Sequence, residues 1–182
     1  MSSDRDEEFQ SFVLARRAEL VRTATLLTGG DAHLAEDLVQ STLTKLFVAW
    51  PAYRRSENPG GYVHRTLVNT LTDERRRPWR RRERPTADLP ERAHAELDGG
   101  DAIDQLRKAL RDLPPRMRAA VVFRYFHGLD VAETADALGC TQGTVKSQTA
   151  RALDHLRAAL GGSAGRLRSV PTTLPAALPS HS

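Results

Sequence analysis

The sequence predicts an all-α protein in which a flexible acidic linker joins two small helical domains. Its 182 residues fit one ordinary domain or two small ones. The composition, with 24 alanines but only 5% aromatic residues, favours helices over sheets. Apolar residues recur at helical spacing in two blocks, which are separated by a stretch without a firm period. The predicted parts are a first domain at 7–84, a linker at 85–100, a second domain at 101–160 and a disordered tail at 161–182.

The first domain is predicted to hold three helices. Gly29 and Asp31 separate the first two, because glycine suits the end of a helix and aspartate caps the start of the next. Pro51 ends the second helix, and Asn58 followed by Pro59 begins the third. The predicted segments are helices at about 7–28, 31–50 and 59–77, with a polar loop at 51–58.

The second domain carries the spacing of a helix-turn-helix motif. Asp130 and Glu133 have the spacing of a capping box at the start of a short helix. Gly139 suits the left-handed turn that follows, and Thr141 caps the next helix. Ala135 is small where the two helices must cross. The predicted helices of this domain lie at 101–113, 115–127, 131–138 and 142–160.

The second helix of such a motif offers candidate DNA-binding side chains. Its N-terminal half enters the major groove of duplex DNA. Glutamine pairs with adenine through two hydrogen bonds, and lysine reaches guanine or phosphate. The alternative is a helical hairpin within an ordinary core. The side chains that could reach DNA are Gln142, Thr144, Lys146, Ser147, Gln148 and Arg151.

Charge is distributed unevenly along the chain. The formal net charge is +4, and 24 of the 27 basic residues are arginines, which suit phosphate groups. Seven arginines lie within 75–84 beside one glutamate, whereas 85–104 holds six acidic residues and one arginine. The arginine run indicates phosphate binding, with an ordinary solvated charge run as the alternative.

Both domains carry short motifs that follow one another in a recognisable order. The first domain has Ala-Glu-Asp-Leu-Val-Gln at 35–40, Gly-Tyr-Val at 61–63, and Asn69 ahead of the arginine run. The second has Leu-Pro-Pro-Arg-Met-Arg at 113–118, Phe-Arg-Tyr-Phe at 123–126 and Gly-Thr-Val-Lys-Ser at 143–147. Over about residues 8–160 the chain resembles the extracytoplasmic-function (ECF) sigma factors of bacterial RNA polymerase.

The resemblance implies a sigma-two-like helical bundle and a sigma-four-like helix-turn-helix domain with separate roles. The second domain would read duplex DNA at the minus-thirty-five element through the helix residues named above. The acidic linker would thread the nucleic-acid channel of the polymerase, either as a mimic of RNA or as a plain tether. Core polymerase would be bound by Asp37, Leu38 and Gln40. The single-stranded minus-ten element would be bound by Tyr53, Arg54, Arg65, Asn69 and Arg76.

The implied partners are core RNA polymerase, promoter DNA and an anti-sigma factor, with no small-molecule substrate. We expect no direct membrane insertion, because no apolar run approaches the ~20 residues that span a bilayer. The single cysteine, Cys140, excludes an internal disulfide and a thiolate zinc site, and a cytoplasmic location follows as the expectation. Cys140 fits a core position of the helix-turn-helix, with a reactive thiol as the alternative.

Sequence reasoning predicts no enzyme and no catalytic residue, cofactor or metal site. His33 and Glu36 are spaced so that they could share a metal, but no second such pair exists. Two other functions stay open. A stand-alone helix-turn-helix transcription regulator should carry an effector or dimerisation domain, and a nucleic-acid enzyme should show turnover with a divalent metal.

Overall fold

The computed structural model describes residues 2–76 and 100–161, which we call the first half and the second half. All regular structure in the two halves is helical, which confirms the all-α prediction. No helix within them is long and apolar enough to cross a membrane. The predicted linker before Gly100, the arginine run beyond Arg76 and the predicted tail beyond Gly161 lie outside the described residues. The helices are α1 (Ser2–Thr28), α2 (Ala32–Val48), α3 (Trp50–Arg54), α4 (Pro59–Arg76), α5 (Gly100–Asp112), α6 (Pro115–Val121), α7 (Val131–Leu138) and α8 (Gln142–Leu160), with a π-helical turn (Val122–Phe126) directly after α6.

The first half packs its three long helices around an apolar core. The positive φ of Gly29 lets the chain leave α1, and its N–H donates to the Leu26 carbonyl at 3.2 Å. Asp31 then caps α2, because its side chain accepts a hydrogen bond from the Leu34 N–H at 2.9 Å. The predicted boundary between the first two helices is therefore formed by the expected residues.

The segment after α2 differs from the prediction. Residues 50–54 form the short helix α3 in place of a polar loop, and α2 ends at Val48 instead of Trp50. Pro51 lies in the first turn of α3, where its missing N–H costs no intrahelical hydrogen bond. Trp50 is buried and stacks on Tyr53, with ring centroids 4.6 Å apart, and this contact stabilises the turn.

The helix-turn-helix is formed in the second half by α7 and α8. Asp130 and Glu133 exchange side-chain to backbone hydrogen bonds, each at 2.8 Å, which completes the capping box of α7. Gly139 ends α7 with φ of 62°, a left-handed conformation that strains other residues. Thr141 caps α8 by accepting a hydrogen bond from the Thr144 N–H at 3.1 Å.

The helix predicted at 115–127 is divided in the structure. α6 ends at Val121, and the π-helical turn follows it. In this wider turn the His127 N–H donates to the Val122 carbonyl, five residues earlier, at 3.1 Å. The turn stacks the rings of Phe123 and His127, whose centroids are 5.6 Å apart.

The two halves are in direct contact, which sequence reasoning did not predict. Phe123 is fully buried, and its ring centroid lies 5.1 Å from that of His64 on α4. The cluster that joins the halves is called the shared core, and its buried residues are Leu20, Ala24, Leu27, Ala35, Leu38, Val39, Leu43, Leu46, Val63, Leu67, Leu71, Ala119, Val122 and Phe123. A second cluster, called the small core, lies within the second half and consists of Ala109, Leu113, Val121, Ala152 and Leu156.

Candidate nucleic-acid interface

α8 presents polar side chains on the side away from its buried face. Val145, Ala152 and Leu156 are its buried residues. The first turn is held by Thr141, whose Oγ1 lies 2.9 Å from the Oγ1 of Thr144. The six residues predicted to reach DNA all lie on this helix: Gln142, Lys146, Ser147 and Arg151 are exposed, and Thr144 and Gln148 are half-buried.

α4 carries a second polar stripe. Arg65, Asn69 and Arg76 are exposed, and their spacings of four and seven residues set them on one face of the helix. The opposite face holds buried apolar residues of the shared core. A 2.7 Å ion pair between Lys45 and Asp73 links α4 to α2 beside the stripe. The structure thus brings three of the five predicted minus-ten residues together.

The other two predicted minus-ten residues lie on α3. Tyr53 is half-buried in a cluster of aromatic rings, and its own ring is 6.1 Å from that of Tyr62 in the first turn of α4. Burial raises the pKa of Tyr53, and nearby Arg16 opposes that effect. Arg54 is exposed and forms a 3.4 Å ion pair with Glu8. Tyr53 is therefore fixed by packing, and the charge of Arg54 is partly balanced.

The predicted polymerase-docking residues on α2 divide into two sets. Asp37 and Gln40 are exposed. Leu38 differs from the prediction, because it is 0% exposed and belongs to the shared core. A partner that docks on α2 in this conformation contacts Asp37 and Gln40, whereas Leu38 stabilises the helix by packing in the shared core.

Arg118 is one of the polar links between the halves. Its buried guanidinium donates to the carbonyls of Leu110, Arg111 and Leu113, at 2.8, 2.7 and 3.0 Å. It also donates to the Leu27 carbonyl at the end of α1, at 3.1 Å. Burial lowers the pKa of Arg118, yet arginine stays charged, and the carbonyl ends of helices favour a cation.

Two histidines meet at the same contact. His64 is 7% exposed, and burial lowers its pKa to about 4, with smaller effects from His127 and Arg16. Burial also lowers the pKa of His127, although Glu19 acts in the opposite direction. Both imidazoles are therefore neutral at pH 7. The His33–Glu36 pair is elsewhere on α2, where Glu36 pairs with Arg17 at 2.8 Å.

Sequence reasoning missed the residues that join the halves. Arg118 was not singled out because an arginine beside an exposed proline-containing turn is usually solvated. A signal was present, since Arg118 lies four residues before Val122 and shares its helical face. His64 and His127 gave no such signal, because only the folded chain brings them together.

Comparisons with known proteins match both halves to one family. The models of Sigma-70 region 2 and Sigma-70 region 4 match residues 12–81 and 103–156. The RNA polymerase sigma-E factor of Streptomyces coelicolor is 36% identical over 159 residues, which cover 82% of this chain and 84% of that protein. The ECF RNA polymerase sigma factor SigM of Mycobacterium tuberculosis is 33% identical over 135 residues, which cover 74% of this chain and 68% of that protein. The chain belongs to the ECF RNA polymerase sigma factors.

Family membership confirms the resemblance inferred from the motifs. Sigma factors are transcription-initiation factors and are not enzymes by themselves. In this sigma factor the range matched to region 2 includes α2, α3 and α4, and the range matched to region 4 includes the helix-turn-helix.

Two solved structures share the fold of this sigma factor. The sigma factor RpoE in complex with the anti-sigma factor NepR, from Bartonella quintana, gives a TM-score of 0.72 at 24% identity. That match covers 86% of this chain and 99% of RpoE. CnrH in complex with the cytosolic domain of CnrY gives a TM-score of 0.59 at 19% identity, over 87% of this chain and 90% of CnrH.

Proposed function

We propose that this sigma factor binds core RNA polymerase and reads a promoter through two separate faces. α8 binds the minus-thirty-five element as duplex, and α4 with α3 binds the minus-ten element as single strand. The observation that carries this proposal is the pair of exposed polar stripes on α8 and α4, each backed by a buried apolar face.

Duplex reading by α8 follows from its geometry. A recognition helix enters the major groove with its N-terminal half, which in α8 carries Gln142, Thr144 and Lys146. A good bidentate contact to a base discriminates by about 1–3 kcal/mol. Arg151 lies further along the helix, where a cation contacts backbone phosphate and contributes salt-dependent affinity.

Single-strand reading by α4 follows from the chemistry of its stripe. Asn69 offers an amide that pairs with the edge of an unstacked base, and Arg65 and Arg76 offer cations for the backbone. The ring of Tyr53 is already stacked on Trp50, so Tyr53 contributes by positioning α3 next to α4. This part of the promoter is bound only after its strands separate.

Docking on the polymerase uses the exposed side of α2. Asp37 and Gln40 supply polar groups there, and Leu38 supports them from the shared core. The polymerase carries out the chemistry, so that this chain needs no catalytic residue or cofactor of its own. We place it in the cytoplasm, with the polymerase.

Contact between the halves is incompatible with reading both elements at once. The elements are named for positions about 25 base pairs apart, which is about 85 Å of B-DNA at ~3.4 Å per base pair. A compact body of roughly 140 residues has a radius of gyration of only about 14 Å. We therefore propose that the described arrangement is the resting form, which opens on the polymerase. An anti-sigma factor is the further partner proposed to hold the resting form.

The test is run-off transcription from promoter DNA with purified core polymerase and this chain. We expect a transcript that requires both proteins, and a large drop with Lys146→Ala or Arg151→Ala. Arg157→Ala is the matched control, since this exposed arginine lies in the last turn of α8, paired with Asp154. Asn69→Ala should reduce the permanganate reactivity of melted thymines more than it reduces closed-complex binding.

Three results would contradict the proposal. Specific promoter binding without polymerase would favour a stand-alone helix-turn-helix regulator. Degradation of the DNA with a divalent metal would favour a nucleic-acid enzyme. A permanganate pattern unchanged by Asn69→Ala would remove α4 as the single-strand reader.

A further inference from the structure

Three metal-ligating side chains meet where the two halves touch. One carboxylate oxygen of Glu19 and one ring nitrogen each of His64 and His127 all lie within 4.8 Å of one another. Glu19 is on α1, His64 is on α4, and His127 directly follows the π-helical turn of the second half. The cluster therefore spans both halves of the chain.

The hydrogen bonds around His127 favour one tautomer of its ring. Thr23 Oγ1 donates its single hydrogen to the backbone carbonyl of Glu19 at 2.9 Å. With that hydrogen engaged, the same hydroxyl accepts from His127 Nε2, also at 2.9 Å, which favours the tautomer of the neutral ring that carries its proton on Nε2. The other nitrogen, Nδ1, then carries a lone pair.

That lone pair faces another electron-rich atom. His127 Nδ1 lies 3.8 Å from Glu19 Oε1, and the His127 side chain is only 8% exposed. His64 is more than nine-tenths buried, and its Nδ1 has no hydrogen-bond partner among the described residues. The other carboxylate oxygen, Glu19 Oε2, pairs with Arg16 at 3.4 Å, and the Glu19 side chain is 32% exposed. Electron-rich atoms that converge at this partly buried contact attract a bound cation.

We propose that Glu19, His64 and His127 bind one divalent first-row transition-metal ion, for which Zn²⁺ is the probe, and that this ion ties the two halves together. Two imidazoles and one carboxylate are ligands that zinc accepts, with solvent in a fourth position. A tetrahedral ion with bonds of about 2.0–2.1 Å places its ligand atoms about 3.3 Å apart. The three side chains must therefore draw together by no more than about 1.5 Å.

The supporting contacts resemble those of a built metal site. The hydrogen bond from His127 Nε2 to Thr23 orients the ring, as second partners of metal-bound histidines do. Because His127 comes from the second half, the three ligands meet only when the halves are in contact. Metal affinity and contact between the halves are then reciprocal, so that each strengthens the other.

The first experiment measures binding to the full chain, freed of metal and carrying no affinity tag. Calorimetry with Zn²⁺ should give one ion per chain, and Co²⁺ should give the visible absorption of a four-coordinate site. Glu19→Gln and His127→Gln should each weaken binding at least tenfold, with circular dichroism as a check of folding. His33→Gln and His155→Gln, at exposed histidines outside the cluster, should keep the wild-type affinity.

The second experiment asks whether the ion ties the halves. Small-angle scattering should show a smaller radius of gyration with Zn²⁺ than with a chelator, and His127→Gln should abolish the difference. Absence of one-to-one binding below millimolar Zn²⁺, or equal binding by the ligand variants, overturns the site. If the radius of gyration does not change when Zn²⁺ binds, the proposal that the ion holds the two halves together is wrong.

An effect on transcription rests on the function proposed above. If that function holds, Zn²⁺ should slow run-off transcription by the wild type but not by His127→Gln. If the chain supports no transcription, the function fails, while the Zn²⁺ titration still decides the site. If transcription proceeds and Zn²⁺ is not bound, the site fails alone.

Discussion

The two halves of this sigma factor bury their apolar residues in different ways. The first half supplies eleven of the fourteen buried residues of the shared core, and the second half supplies only Ala119, Val122 and Phe123. The small core that the second half keeps for itself has five buried residues. Small domains bury a smaller share of their surface, so the second half gains proportionally more from the contact. Opening the chain therefore exposes a fully buried phenylalanine that needs another apolar partner.

Polar bonds across the contact differ from its apolar packing. Arg118 donates to the Leu27 carbonyl, and Arg111 donates to the Gly29 carbonyl at 3.0 Å. Both acceptors lie at the C-terminal end of α1, where carbonyls left over from the helix favour a cation. Water can replace these bonds when the halves separate. The polar bonds thus give orientation, and the apolar packing gives most of the affinity.

Replacement of Phe123 should have the largest effect on this contact. Phe123→Ala removes a fully buried ring and should cost about 3–5 kcal/mol in the free energy of unfolding. The effect is measured by urea unfolding followed through the fluorescence of Trp50, which is buried in the first half. A Trp79→Phe background removes the signal of the other tryptophan. A lower urea midpoint in the Trp50 signal, called the Trp50 midpoint, would show that a residue of the second half stabilises the first half.

The matched control for Phe123 is Leu156, a residue of the small core. Leu156→Ala should destabilise the second half by about 2–5 kcal/mol and move the Trp50 midpoint less than Phe123→Ala does. An unchanged Trp50 midpoint in Phe123→Ala would mean that the halves are not in contact in solution.

Loss of the Arg118 guanidinium should have the next largest effect. Arg118→Met keeps an apolar stem but removes the donors to four carbonyls, which should cost about 2–4 kcal/mol. Arg116→Met is the control, because Arg116 is exposed on the same helix and should change stability by less than about 0.5 kcal/mol. The measurement is urea unfolding, together with the radius of gyration. Equal stability of the two variants would contradict the assignment of Arg118 as a polar link between the halves.

Local signals explain which parts of this fold were predictable. Asp31, Asp130 with Glu133, and Thr141 each cap the helix that their spacing predicted. α3 was missed because Pro51 was interpreted as the end of α2, whereas proline is equally suited to a first helical turn. The contact between halves was missed because periodicity shows which face is apolar but not which face it meets.

The candidate interface shows the same limit. The exposed stripes on α4 and α8 were predictable, since polar residues at helical spacing opposite an apolar face lie in solvent. Leu38 was assigned to polymerase docking by resemblance, although its four-residue spacing from Leu34 indicated an apolar row. Glu19, His64 and His127 lie far apart in sequence, and only tertiary structure could bring them together.

A smaller effect is expected at the turn of the helix-turn-helix. Gly139→Ala should cost about 1–2 kcal/mol, because φ is positive there while no atom obstructs a new Cβ. Gly143→Ala is the matched change within α8, where a Cβ would lie 3.9 Å from Thr141 Oγ1 and should be neutral or stabilising by up to about 1 kcal/mol. Urea unfolding followed by circular dichroism checks both. The midpoint of urea unfolding followed by Trp50 fluorescence should change less than in Phe123→Ala, because Gly139 is not a buried residue of the shared core and only its neighbour Leu138 packs against that core.

The smallest effect is expected for the reactivity of Cys140. Its alkylation rate distinguishes separation of the two halves from unfolding of the second half. Burial raises the pKa of this half-buried thiol, while Arg116 lowers it less strongly, so less reactive thiolate is present at a given pH. At pH 8 the alkylation rate of Cys140 should be lower in the folded protein than in the urea-unfolded protein. The rate should continue to increase as the pH rises through 9. It should be lower still in Arg116→Met, which lacks the nearby positive charge. In Arg118→Met the alkylation rate of Cys140 should be unchanged, provided that the halves separate and the helix-turn-helix stays folded. A faster rate in that variant would mean that the second half depends on the first for its own fold.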